Sequence, residues 1–157
     1  MLDNCETTEE ATVFLKKIPK TWGVAYLIID KNNTIAKVEA HREKTKITYS
    51  EDGFGFVTLL FDSPDMEKYN QIDELTKLYH PRKEFLTQWF DQYKGKINTE
   101  TIIKALQDHD HSMCDHFSDG QVNYGICWSW IVTIGKTDAH ICAGPPCKNE
   151  FITHSIF

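Results

Sequence analysis

The sequence contains no long apolar run, no stripe of basic residues and no closely paired cysteines, and each absence removes a class of function. No stretch approaches the ~20 apolar residues that a membrane-spanning helix needs, and the mean hydropathy is -0.43. A membrane protein is therefore not expected. Lys and Arg number 17 against 23 Asp and Glu, a formal net charge of -6, and no cluster of bases could track a phosphate backbone. Nucleic acid is excluded as an expected partner. The first residues carry Asp3, Glu6, Glu9 and Glu10 where a secretory signal has bases followed by an apolar run, so the expected location is cytoplasmic. The five cysteines, Cys5, Cys114, Cys127, Cys142 and Cys147, are odd in number, irregularly spaced and without a CxxC pair. They read as free thiols.

What is present is an ordinary globular composition: 157 residues, 41% hydrophobic and 12% aromatic, with no repeat, linker or low-complexity segment. That length forms a single domain spanning residues 1–157 with a real core. Thr7-x-x-Glu10 is a capping box, and Ala11, Phe14, Leu15 and Ile18 follow at helical spacing until Pro19. Residues 24–29 and 34–39 are rich in β-branched and aromatic side chains on either side of Asp30-Lys31-Asn32-Asn33, the pattern of a hairpin. Residues 46–49 and 54–61 read as a third and a fourth strand across Glu51-Asp52-Gly53. A helix is expected over 66–79, another from Pro81 with Phe85, Leu86, Trp89, Phe90 and Tyr93 on one face, and a third capped by Asn98 or Thr99 with Ile102, Ile103 and Leu106 inward. Strands are expected over 126–134 and 139–143, with a last short one over 151–157. Strands, then helices, then strands with hairpin-length connections predict an α+β fold with antiparallel sheets.

The densest chemistry lies in Asp108-His109-Asp110-His111-Ser112-Met113-Cys114-Asp115-His116, followed later by Gly144-Pro145-Pro146-Cys147. Imidazole, carboxylate and thiolate together are the ligand set of zinc. The spacing argues the other way: His109 and His111 alternate, as do Cys114 and His116, where structural zinc sites use paired knuckles with spacers of two to four residues. The expectation is a structural turn whose His and Asp bond local backbone, with no metal and no cofactor. Cys142 and Cys147 read as small buried residues around a rigid Pro-Pro turn. Trp128 and Trp130 share one strand face with Ile126 and Val132 and are expected to pack a core or a sheet interface. Asp30, Glu39, Asp52 and Asp62 read as solvated acids at strand ends and turns.

The order of motifs carries a resemblance. Leu2-x-Asn4-Cys5-x-Thr7-x-x-Glu10-Ala11 with Leu15 and Ile18-Pro19, then Val38-Glu39, then Asp52-Gly53-Phe54 through Phe61-x-Ser63-Pro64-x-Met66, then Asp108-His109 through Met113-Cys114-x-His116, then Gly144-Pro145-Pro146-Cys147, resemble in sequence the carboxyl-terminal half of the acyl-coenzyme A:6-aminopenicillanic acid acyltransferase family. That family belongs with the N-terminal-nucleophile hydrolases and is related to choloylglycine hydrolases and other linear amide C–N hydrolases. The resemblance implies part of an αββα sandwich, two antiparallel sheets face to face with helices outside. It also implies an amino-terminal cysteine that attacks an amide or thioester carbonyl while its own α-amine, titrating near neutrality, serves as base. Relatives act on penicillins, bile-salt conjugates, acyl-amino acids and peptides.

Two departures accompany it. The family's nucleophile lies upstream of everything that matches here, and Cys5 corresponds to a helix residue rather than to that cysteine. Where relatives place Thr-Asn-His-Phe, whose asparagine feeds the oxyanion hole, this chain has Thr58-Leu59-Leu60-Phe61. Leucine donates nothing, and losing one such donor costs about 2.7–4 kcal/mol of transition-state stabilisation in other enzymes. The expectation is a chain inactive alone, with substrate contacts at Thr58, Leu59, Leu60 and Phe61, no catalytic residue of its own, and a nucleophile-bearing half or a second copy as partner. The alternatives are a binding or assembly module derived from the same fold, and a metal-binding protein acting through residues 108–116.

Overall fold

The computed structural model describes residues 4–71, 80–118, 121 and 123–156. They form two compact units, residues 1–80 and 81–157, each taken by itself below. Among the described residues three α-helices and antiparallel sheets make an α+β fold.

Unit 1 begins with α1 (Thr8–Lys17). Thr7 caps it, its hydroxyl accepting from the Glu10 amide at 3.2 Å. The Glu10 carboxylate reaches back one residue further than a capping box requires, accepting from the Glu6 amide at 2.7 Å. Strands β1 (Val24–Ile29), β2 (Ile35–Ala40) and β3 (Thr45–Tyr49) form an antiparallel meander in the order β1-β2-β3. The hairpin turn between β1 and β2 is held by Asn33 in the left-handed region (φ 62°), which asparagine tolerates.

β2 is buried on both faces, which alternation along the strand explains. On one face Val38 and Ala40 pack with Leu15 of α1, joined by Ile18, Tyr26, Ile28 and Ile47. On the other face the segment 54–63 lies across the sheet. Gly55 approaches so closely that an added Cβ would stand 2.9 Å from Leu27 Cδ1, and Lys37 pairs with Asp62. The fourth strand expected over 54–61 is not formed. Its apolar residues pack onto the sheet face instead of extending the ladder, and side chains rather than a neighbouring strand satisfy part of its backbone. Of the helix expected over 66–79, the described part is a short 3-10 turn, Glu67–Tyr69, which stops at an extended Asn70; residues 72–79 lie outside the described residues.

Unit 2 opens with α2 (His80–Tyr93) and α3 (Thr99–Leu106). Asn98 caps α3 in a reciprocal box with Thr101: the Thr101 amide donates to Asn98 Oδ1 and the Asn98 amide to Thr101 Oγ1, both at 3.0 Å. Strands β4 (His116–Ser118) and β5 (Asn123–Gly125) make a small hairpin that the sequence pattern did not reveal. Strands β6 (Trp128–Val132), β7 (Asp138–Ala143) and β8 (Ile152–Ser155) form a second antiparallel meander, against which α3 packs through β6. The β6–β7 turn needs Gly135, at φ 82°.

The core of this unit is thin. Among the described residues its buried apolar side chains are Ala105, Cys114, Ile131, Ala139 and Cys142, with Pro146 also fully buried, and Ile131 is the one large aliphatic of that set. Trp128 and Trp130 do share a face, as alternation requires, but they are 71% and 65% exposed rather than packed. Val132 and Ile152 are exposed beside them, and Trp130, Ile141 and Ile152 stand directly opposite one another across the three strands.

Candidate functional site

The four residues expected to contact substrate lie on the segment that leaves the sheet of unit 1. Leu59, Leu60 and Phe61 line a cavity of about 450 Å³, within the range of small-molecule sites. Its other walls come from Thr21, Trp22 and Gly23 before β1, His41 and Arg42 at the β2–β3 turn, and Tyr69, Asn70 and Gln71 after the 3-10 turn. Thr58 is not part of the lining; its hydroxyl sits 3.4 Å from both the Leu60 amide and carbonyl.

The cavity wall is held by two side chains: Asn70, which the sequence did not single out, and Glu39, which it marked as a solvated acid. Asn70 clamps Phe61: its Oδ1 accepts from the Phe61 amide and its Nδ2 donates to the Phe61 carbonyl, both at 2.8 Å. Glu39, only 1% exposed, accepts from the Asp62 amide at 2.6 Å and the Ser63 amide at 3.2 Å, and its second oxygen bonds the Ser63 hydroxyl. Glu39 is thus no solvated strand-end acid. It is a buried acceptor that replaces the missing strand partner for residues 62–63. Asp30 is likewise buried and holds the α1 amino terminus through the Thr8 amide at 3.0 Å, together with the Asn32 and Thr34 amides. The Thr8 bond is the largest influence on its carboxyl and holds it below the ordinary aspartate value. The adjacency of Val38 and Glu39 was the only sequence signal for the first of these roles. His41 stacks on Tyr69 with ring centroids 4.3 Å apart, and Lys68 sits over the same ring.

Chemically this is a half-open cleft with apolar walls from Trp22, Leu59, Leu60 and Phe61, and polar side chains from His41, Arg42 and Gln71. The Asn70 amide is already engaged by backbone. None of the five cysteines lines it.

In unit 2 the structure gathers residues far apart in sequence. Asp108 Oδ1 accepts from the His111 amide at 2.8 Å and lies 3.0 Å from His111 Nδ1, and His111 stacks on Phe85. Ser112 adopts φ 59°, and Arg82 Nε donates to its carbonyl at 2.7 Å. The Cys114 amide closes the loop onto the Asp108 carbonyl at 2.7 Å. Local backbone bonding of this kind is what the sequence led one to expect. The tight turn also brings His109, Cys114 and His116 beside Cys147, all four donor atoms lying within 4.8 Å of one another. Burial pushes the Cys114 thiol up, with the neighbouring Cys147 amide acting in the opposite sense. Cys142 is fully buried on β7 and its thiol is also raised by burial.

An α+β chain of antiparallel sheets, with a cleft at the end of its first sheet, is the class of molecule this geometry defines. The chain belongs to the acyl-coenzyme A:6-aminopenicillanic acid acyl-transferase family, whose model it matches over residues 1–146. Comparison with curated proteins and with solved structures gives no match. Among the described residues no helix is long and apolar enough to cross a membrane.

Proposed function

We propose that this chain provides the carboxyl-terminal part of a linear amide C–N hydrolase or acyltransferase of the N-terminal-nucleophile type, working in the cytoplasm as one domain on an αββα plan. The carrying observation is the family match over residues 1–146. The cleft lined by Leu59, Leu60 and Phe61 receives the acyl group, and the cysteine that attacks it comes from outside the matched segment, on a partner chain or on further sequence. Leu59 and Leu60 offer apolar contact but no oxyanion donor, so that donor too must come with the nucleophile. The exposed face of Trp128, Trp130, Val132 and Ile152 supports a covering partner, since a contiguous apolar sheet face in water is a common interface signature.

A second reading, a binding or assembly module without catalysis, is favoured by the same leucines standing where relatives carry the donor. The two separate on mixing. The chain is incubated with a folded protein bearing the family's amino-terminal half, and release of amine from acyl amides is followed. The enzyme reading expects no turnover by either chain alone and turnover on mixing. No recovery with a folded, bound partner leaves only the binding module.

A further inference from the structure

We propose that His109, Cys114, His116 and Cys147 bind one structural zinc ion in unit 2. The geometry is the first reason. His109 Nε2 and His116 Nε2 are 3.3 Å apart, and His116 Nε2 is 3.2 Å from Cys147 Sγ, with all four donors inside 4.8 Å. Tetrahedral zinc, at about 2.0–2.1 Å from nitrogen and about 2.3 Å from sulfur, separates its ligand atoms by about 3.3–3.8 Å. The rings of His109 and His116 cross at 86°, so each aims its Nε2 into the same space without stacking.

The donor set is the second reason. Two imidazoles and two thiols are the borderline-soft combination that selects zinc, and four protein ligands leave no open position, the mark of a structural rather than a catalytic site. These ligands do not form a local knuckle of the kind that regular spacing marks. The loop supplies only His109 and Cys114; His116 comes from β4, and Cys147 lies 31 residues further on, in the turn after β7.

The surroundings hold the ligands in place. Gln107 Nε2 donates to the Pro146 carbonyl at 3.0 Å, tying the end of α3 to the turn that presents Cys147. The need is equally visible: a unit whose buried apolar residues are mostly alanine and cysteine gains little from its core, and small cores of this kind are commonly stapled by a metal. The site uses no residue of the cleft in unit 1 and stands or falls independently of the acyl-transfer reading.

The test uses the full chain, reduced, stripped with chelator and titrated anaerobically with Co²⁺. The expected result is visible d–d absorption of tetrahedral cobalt with a thiolate charge-transfer band, saturating at about one equivalent and displaced by Zn²⁺. Elemental analysis of zinc-loaded, dialysed protein should return about one zinc per chain. Cys147→Ser and His109→Ala should each weaken uptake by at least about 100-fold, beyond the loss typical of an outer-shell residue. Cys127→Ser, whose thiol lies outside the cluster, should leave it unchanged. His109 is exposed, so its replacement keeps the test open if the cysteine variant does not fold. Uptake that never saturates, a cobalt spectrum without the thiolate band, or uptake by Cys147→Ser and His109→Ala as tight as that of the unsubstituted chain would overturn the site. So would a Cys114–Cys147 disulfide in protein made in zinc-replete medium.

Discussion

Glu39 and Asp30 show how two carboxylates do work that their positions in the chain disguise. Both sit where a strand meets a turn, the place for a solvated acid, yet both are buried acceptors of backbone amides. Removing the Glu39 side chain leaves the Asp62 and Ser63 amides without their partner. Glu39→Ala should therefore destabilise unit 1 by about 3 kcal/mol in urea unfolding, and Glu39→Gln, which keeps one carbonyl oxygen, by less. Asp30 makes a prediction in pH. Its carboxyl is held below the ordinary value of 3.8, first by the Thr8 amide, so its ionised form is stabilised by folding. That stability is present above the unfolded value and is lost as pH falls through the lowered one. The difference in urea midpoint between the protein and Asp30→Asn should be constant above about pH 5 and shrink steadily below about pH 4. Neither role was legible from residue type. Burial of an acid depends on which segment crosses above it, and that is a tertiary fact.

The helices and the first meander were legible because their signals are local. Thr7 caps α1, Asn98 caps α3, and Val24–Ile29 forms a strand over the residues its β-branched run marks. Asn98→Ala should lower stability by about 1 kcal/mol, read from a thermal or urea transition of unit 2, because α3 is only 8 residues long and leans on its cap. Residues 54–61 failed for a physical reason: a run of aromatic and β-branched residues fits a strand and a segment packed on a sheet face equally well. Gly55, which lets the backbone approach Leu27 and Ile35, was the feature that separates the two. The hairpin β4–β5 escaped because its strands are 3 residues each, too short to show a period. The convergence of Cys147 on the His109 loop lay beyond any local pattern.

For the molecule as a whole, the sequence supplied the family and the α+β class, and the fold added two compact units with an uncovered sheet face. The two tryptophans were placed on one face correctly and in the wrong environment, since period reports which side a residue faces and not what covers it. At micromolar concentration, light scattering should find the chain self-associated or, when offered its partner, paired with it, and Trp128→Ser with Trp130→Ser should return it to monomer. A wild-type monomer that also ignores the family's amino-terminal half would remove the interface.

The double burial of β2 has a consequence in time as well as in stability. Its amides are covered by α1 from one side and by residues 54–63 from the other, so no small opening exposes them. They should exchange with deuterium only when unit 1 unfolds as a whole, which makes them the slowest clock in that unit. The amides of β8, a strand whose every residue is exposed, should exchange through brief local fraying. A binding partner that slows β8 while leaving β2 unchanged would thereby report its own footprint.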